Sequence, residues 1–145
     1  MQESFELNNL HILQEKIDVA NTGHITNCYI IWKNNDAVVI DPAFDAKRII
    51  QELDKNNLTL KAIFLTHCHA DHIGALKDLL NEYDVAVYGH TQDLENINKK
   101  KVNCKAIVGV RLDTIDTTVF EGLNGGESIT VSDMDFDVIS TPRSY

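Results

Sequence analysis

The segment that most constrains the fold is an abrupt change from an apolar run to a cluster of metal-ligand side chains. Residues 62–65 are wholly apolar, as expected for a short buried strand. His67, His69, Asp71 and His72 follow directly, and beyond them apolar side chains recur at helical spacing up to residue 83. We therefore predict a buried strand, a ligand-rich loop at its carboxyl end, and then an amphipathic helix.

The spacing within this loop allows its polar side chains to converge. In an extended segment the side chains at i and i+2 point the same way, so His67 and His69 can share one ion while Cys68 faces away. Asp71 and His72 fall at the cap and first turn of the next helix and can turn toward the same pocket. Imidazoles and a carboxylate suit zinc, and also iron or manganese. The pattern predicts a centre of one or two metal ions, against the alternative of a chance cluster on a polar loop.

The rest of the pattern predicts an α+β fold. Strands are expected at residues 10–20, 27–32, 37–40, 85–88, 106–110, 128–131 and 136–139. One helix is expected from the N-cap Asp45 to the Asn56-Asn57 stop, and a short polar helix at residues 91–98. Gly122, Gly125 and Gly126 are predicted to be turn residues, since no phosphate-loop motif is present. Antiparallel strands followed by strand–helix–strand units indicate a mixed sheet with helices on one face and a site at the carboxyl ends of its strands.

Composition narrows the partners and the compartment. The chain has 145 residues and 43% hydrophobic content, which suits a single domain spanning 1–145. Its formal net charge of −9 disfavours nucleic acid and anionic membranes, and no apolar run approaches a membrane span. Cys28, Cys68 and Cys104 form no CxxC pair, so we expect three thiols and a cytoplasmic location.

The residues from Thr66 to Gly74 resemble the signature of the metallo-β-lactamase-fold hydrolases, and their surroundings are most similar to the glyoxalase II (hydroxyacylglutathione hydrolase) branch. Three other segments, residues 26–31, 37–42 and 138–142, resemble that family in the same order. The resemblance implies the N-terminal half of an αββα sandwich. It also implies hydrolysis of a small thioester or ester substrate, by attack of a metal-bound hydroxide on the carbonyl.

The resemblance also implies roles for individual residues. His67 and His69 would bind the first metal, while Asp71 and His72 would bind the second. Asp71 would in addition act in catalysis by orienting the bridging hydroxide. Asp41, at the end of a predicted strand, resembles the family's carboxylate that lies next to the metal ligands without binding the ion. An ordinary strand-end aspartate before Pro42 is an equally good interpretation.

The resemblance breaks after residue 142. The family continues from Thr-Pro into Gly-His, and that histidine completes the first metal site, whereas here Arg143 and Ser144 follow. Ser144 thus stands where the third ligand is expected, and a catalytic zinc normally has three protein ligands. We therefore expect a truncated member that lacks the C-terminal half of the fold. Either all four ligands share one ion, or a homo-oligomer or a complementing chain completes the site.

Two functional alternatives are left open by the sequence. One is a catalytically impaired half-domain that binds metal but needs a partner chain. The other is a different reaction on the same fold, namely β-lactam or phosphodiester hydrolysis or iron-dependent oxygen chemistry. The remaining histidines, His11, His24 and His90, are interpreted as structural, and His24 is the best placed of them to border the pocket.

Overall fold

The computed structural model describes residues 2–7, 10–18, 25–42, 46–66, 76–91 and 120–138. Within these ranges the elements are the strands β1 (Gln2–Leu7), β2 (Leu10–Asp18), β3 (Ile25–Lys33), β4 (Asp36–Ile40), β5 (Thr59–Phe64), β6 (Ala86–His90), β7 (Phe120–Leu123), β8 (Ser128–Val131) and β9 (Met134–Asp137), with the helices α1 (Ala46–Lys55) and α2 (Leu76–Glu82). The predicted strand at 106–110 and all but the first residue of the predicted helix at 91–98 lie outside the described residues. None of the helices in these ranges is long and apolar enough to cross a membrane.

Seven strands form one mixed sheet in the order β1-β2-β3-β4-β5-β6-β7. The first four pair antiparallel, whereas β4 to β7 pair parallel. Parallel neighbours need a crossover connection. α1 forms the connection between β4 and β5, and α2 lies in the connection between β5 and β6. The predicted mixed sheet of antiparallel strands followed by strand–helix–strand units is confirmed.

One face of the sheet packs against both helices. The helices bury Ile49 and Leu53 of α1 and Leu76 and Leu79 of α2. These side chains form one cluster with alternate residues of β2 to β6, which are Leu13, Cys28, Ile30, Ala37, Val39, Leu60, Ile63 and Val87. Helices on one face were predicted from the sequence, and this cluster confirms them.

The opposite face carries the two-stranded hairpin of β8 and β9. Val131 and Met134 from the hairpin are buried against Val38 and Ala62 of the central strands. Around them pack the partly buried side chains Leu10, Ile31, Phe64, Tyr88, Ile129 and Phe136. The ring of Phe64 contacts those of Tyr88 and Phe136, at centroid distances of 5.2 and 5.0 Å. The hairpin of β8 and β9 thus forms a second β layer that packs on the face opposite the helices.

Two tight turns fasten the hairpin to the sheet. The β3–β4 turn contains Asn34 at φ 58°, the positive φ expected of an Asn-Asn turn, and the β8–β9 turn contains Ser132 at φ 55°. The Asn34 side-chain amide donates to Asp133 Oδ2 at 3.3 Å, and the Ser132 hydroxyl donates to the Asp36 carboxylate. These contacts join the two layers at the amino end of β4.

The sequence missed two strands and misplaced one. β1 was not predicted because its polar residues outnumber its apolar ones, and β7 was not predicted because Gly122 was assigned to a turn. The predicted last strand at 136–139 is instead β9 at Met134–Asp137. Its turn is Ser132-Asp133, two residues rather than the predicted four, because Ser132 adopts the positive φ that a two-residue hairpin loop requires.

Gly122 lies within β7, and Thr91 approaches it too closely to leave room for a side chain. A Cβ at this position would sit 2.5 Å from Thr91 Oγ1 and 3.3 Å from the Thr91 Cα. Gly125 and Gly126 do lie in the following turn, with φ of 109° and 87°. The glycine in β7 therefore permits close packing, whereas the other two permit a turn.

We expect Gly122→Ala to destabilise the protein by about 1–3 kcal/mol, because the added methyl overpacks against Thr91. Urea unfolding followed by circular dichroism measures the change. In a Thr91→Ala background the same substitution should cost less than half as much, since the closest clashing atom has been removed. Equal costs in the two backgrounds would show that this contact is not the reason for the glycine.

Candidate metal centre

Three parallel strands end at the same edge of the sheet and define the candidate site. Asp41 follows the last residue of β4, and its N–H donates to the carbonyl oxygen of Phe64 at 2.9 Å. The N–H of Leu65, just beyond β5, donates to the carbonyl oxygen of Tyr88 in β6 at 2.8 Å. Backbone hydrogen bonds therefore hold the ends of β4, β5 and β6 side by side where side chains from all three can meet.

Asp41 is buried and tied to the residue that precedes the histidine cluster. Its side chain is only 4% exposed. Asp41 Oδ1 accepts a hydrogen bond from the Thr66 N–H at 2.8 Å, and the Thr66 hydroxyl donates to the other carboxylate oxygen. Asp41 also has a φ of 54°, a left-handed conformation that aspartate tolerates better than most residues. Both carboxylate oxygens thus fix the point at which the chain leaves β5.

The predicted ligands themselves lie outside the described residues. This holds for His67, His69, Asp71 and His72, and also for Cys68, for His24 and for Ser144. Among the residues that are described, no group of three or more histidine, cysteine, aspartate or glutamate side chains could hold a metal ion. The ligand assignment therefore stays a prediction, and the geometry gives the frame to which those residues attach.

His90 occupies this edge as well, which the sequence did not indicate. It is the last residue of β6 and is partly buried. The predicted strand ended at residue 88, so His90 was taken for a loop residue. β6 runs two residues further than predicted, and its register against β5 places His90 level with Thr66, just beyond the end of β5.

Glu127 immediately precedes the first strand of the hairpin, and backbone N–H groups hold its carboxylate. Its carboxylate accepts hydrogen bonds from the backbone N–H groups of Asn124 at 2.8 Å and Gly125 at 2.6 Å. The pKa of Glu127 lies below its ordinary value, chiefly because of the Asn124 N–H, with smaller contributions from the N–H groups of Glu127 and Gly125 and from His90. The two N–H groups thus hold the carboxylate in one orientation and favour its ionised form.

His11 is placed far from this edge, as expected for a structural histidine. Its ring stacks on that of Trp32 at a centroid distance of 5.1 Å, and its Nδ1 lies 3.3 Å from a carboxylate oxygen of Glu6. These side chains border an open groove of about 410 Å³ beside the last turn of α1, at the opposite end of the sheet. Cys28 is a buried free thiol, whereas Cys68 and Cys104 lie outside the described residues.

Comparison with known proteins gives the same assignment as the fold. The sequence profile of the Metallo-beta-lactamase superfamily matches residues 21–135, and the chain therefore belongs to this superfamily. The hydroxyacylglutathione hydrolase GloC of Haemophilus influenzae is 39% identical over 67 residues, which cover 46% of this chain and 32% of that protein. A hydroxyacylglutathione hydrolase of a Synechococcus strain is 40% identical over 97 residues, covering 62% and 38%. The matched segments cover only about a third of the length of these relatives.

Solved structures of the superfamily share the architecture. The B3 metallo-beta-lactamase BLEG-1 superposes with a TM-score of 0.71 at 29% identity, covering 89% of this chain and 61% of that one. TTHA1623, crystallised in a di-iron-bound form, gives a TM-score of 0.59 at 28% identity, covering 71% and 51%. The α+β fold class predicted from the sequence, as one half of the family's sandwich, is confirmed.

We expect Thr66→Val to destabilise the protein by about 1–2 kcal/mol, because the buried Asp41 carboxylate loses one charge-assisted hydrogen bond. Thr66→Ser is the matched control, since it keeps the hydroxyl and should stay within about 0.5 kcal/mol of the parent. Equilibrium urea unfolding of the three proteins measures the difference. If Val and Ser are equally stable, the hydroxyl contact contributes nothing.

Proposed function

We propose that this chain is a metal-dependent hydrolase that cleaves a thioester or ester, with hydroxyacyl thioesters of glutathione as the leading substrate class. The observation that carries the proposal is the shared edge of β4, β5 and β6, at which Asp41 fixes Thr66 immediately before His67. The superfamily to which the chain belongs and its relatives at 39% and 40% identity support the same chemistry.

The donor set fits a divalent transition metal. Three imidazoles and one carboxylate within six residues are borderline ligands of the kind that zinc and iron accept, and we take zinc as the leading ion. His67 and His69 would hold the first ion, and Asp71 and His72 the second. A bound ion of this kind acidifies water to a pKa of about 7 and polarises a carbonyl group.

The protein residues would position the ligand segment and orient the attacking water. The buried Asp41 carboxylate holds Thr66, so the ligand segment starts from a fixed point rather than from a mobile loop end. Asp71 would accept a hydrogen bond from the attacking water and orient it toward the carbonyl carbon. The water oxygen forms a bond to the acyl carbon, and the bond from that carbon to the leaving sulfur or oxygen breaks. The leaving group takes up a proton given up by the water, so the products are a carboxylic acid and a thiol or alcohol.

The proposed substrate class is that of the sequence relatives, which are hydroxyacylglutathione hydrolases. Because the chain has a net charge of −9, a negatively charged substrate must gain its affinity from the metal and from specific donors rather than from the overall field. We infer a cytoplasmic location from the cysteine pattern.

Chelation and ligand removal test this function. Purified protein should contain about one or two zinc or iron ions per chain and should hydrolyse a hydroxyacyl thioester of glutathione. Dialysis against a chelator should abolish turnover and re-addition of the ion should restore it. His67→Ala and His69→Ala should each lower turnover by about two orders of magnitude or more and should reduce bound metal, as expected for lost ligands.

The controls separate the rival functions. A chromogenic β-lactam should be hydrolysed much more slowly than the thioester, since the sequence relatives at about 40% identity are hydroxyacylglutathione hydrolases. His11→Ala changes a histidine at the opposite end of the sheet and should leave metal content and turnover unchanged. Stoichiometric metal without thioester turnover would reject the hydrolase and favour a metal-binding half-domain.

A further inference from the structure

The turn between β7 and the hairpin contains the only Asn-Gly pair in the sequence, Asn124-Gly125. Asn124 is exposed, and Gly125 has a φ of 109°. Because glycine has no side chain to shield its backbone nitrogen, that nitrogen can approach the Cγ carbon of the preceding asparagine. The pair therefore combines the residue types and the exposure that spontaneous asparagine deamidation requires.

Deamidation at this pair is an attack by the main chain on a side chain. The Gly125 nitrogen loses its proton and forms a bond to the Cγ carbon of Asn124. The bond from Cγ to the side-chain nitrogen breaks, and this nitrogen takes up the proton and leaves as ammonia. Solvent water then opens the cyclic succinimide at either carbonyl carbon, which leaves an aspartate or an isoaspartate in place of Asn124.

The attacking nitrogen is held by the carboxylate of Glu127. The Gly125 N–H donates to Glu127 Oε1 at 2.6 Å, and the Asn124 N–H donates to Glu127 Oε2 at 2.8 Å. Glu127 is itself held by the hairpin, since the Val138 N–H donates to its carbonyl oxygen at 2.8 Å. The Gly126 N–H in turn donates to the Val138 carbonyl oxygen at 2.8 Å. The peptide unit that must move in the reaction is thus tied to one fixed carboxylate.

The contact with Glu127 opposes this reaction in two ways. The attack needs a deprotonated Gly125 nitrogen, and an ionised carboxylate that accepts the N–H favours the protonated form over the anion. Glu127 is kept ionised because hydrogen bonds from backbone N–H groups, chiefly that of Asn124, lower the pKa of its carboxyl group. The nitrogen must also leave Oε1 in order to reach the Cγ carbon, so the hydrogen bond is lost on the way.

We propose that Asn124 is a deamidation site and that the Glu127 carboxylate slows the reaction in the folded protein. Conversion adds a negative charge to the turn that contains Glu127. The isoaspartate product also lengthens the main chain by a methylene group between the two N–H groups that Glu127 accepts. Deamidation therefore weakens the contacts at the start of the hairpin. This inference does not depend on the metal centre or on the proposed hydrolase activity.

Peptide mass spectrometry of the incubated protein tests the inference. The parent, Glu127→Ala, Glu127→Gln and the control Glu121→Gln are kept at neutral pH and physiological temperature, both in buffer and in denaturing urea. Conversion of Asn124 is followed by the mass increase from amide to acid and by chromatographic separation of the aspartate and isoaspartate products. Asn124→Gln should abolish this signal, which locates it.

Two features of the design isolate the contact. Glu121→Gln removes the same charge at the same sequence distance on the other side of Asn124, so it controls for the loss of a nearby carboxylate. Circular dichroism and urea unfolding show that each variant is folded in buffer. Glu127→Gln keeps the bulk of the side chain and one acceptor oxygen should Glu127→Ala fail this check.

In buffer the parent should deamidate at Asn124 at least about 10-fold more slowly than in urea, the effect of one unit in the pKa of the Gly125 N–H. Both Glu127 variants should be faster than the parent in buffer by about 10-fold, on the same reasoning. Glu121→Gln should behave as the parent. The inference is overturned if Asn124 does not convert in urea, or if the parent reacts equally fast in buffer and urea. It is also overturned if folded Glu127 variants keep the parental rate, or if Glu121→Gln is accelerated as much as they are.

Discussion

The hydrogen bonds between the buried Asp41 carboxylate and Thr66 are the interaction on which the candidate site depends. A carboxylate that is 4% exposed costs free energy unless its oxygens are satisfied, and here the backbone and the hydroxyl of one residue satisfy both. That residue is the last before His67. The hydrogen bonds join the residue after β4 to the segment after β5. They thereby fix the position at which the candidate ligand segment begins.

The parallel strands form this edge, and the hairpin covers one face of the sheet beside it. β4, β5 and β6 present their carboxyl ends side by side, while α1 and α2 cover the face away from the hairpin. The hairpin covers the other face through Val131 and Met134 and is anchored at its turn by contacts with Asn34 and Asp36. At its opposite end Glu127 precedes the first hairpin strand, and its carboxylate accepts hydrogen bonds from the N–H groups of Asn124 and Gly125.

Much of this fold followed from the sequence because its signals are local. The apolar run at residues 62–65, the helical spacing in α1 and the Asn-Asn turn each determine their own structure, and strand–helix–strand order then implies a parallel sheet. β1 and β7 were missed for physical reasons. β1 gains its stability from pairing with β2 rather than from an apolar pattern of its own, and Gly122 is required by the approach of Thr91, a contact between distant segments. The position of His90 was missed in the same way, since the register of β6 against β5 is a long-range property. The candidate ligands were predicted from residue type and spacing, and both their identity and their geometry stay predictions.

Anomalous diffraction from a crystal of the metal-loaded protein tests the central claim most directly. Data collected above and below the absorption edge of the bound metal locate its ions independently of any assumed ligand. We predict one or two peaks at the edge where β4, β5 and β6 end, within about 2.0–2.2 Å of nitrogen or oxygen atoms from His67, His69, Asp71 or His72. Ions bound only elsewhere on the molecule, or a fully loaded protein with no peak at this edge, would contradict the account.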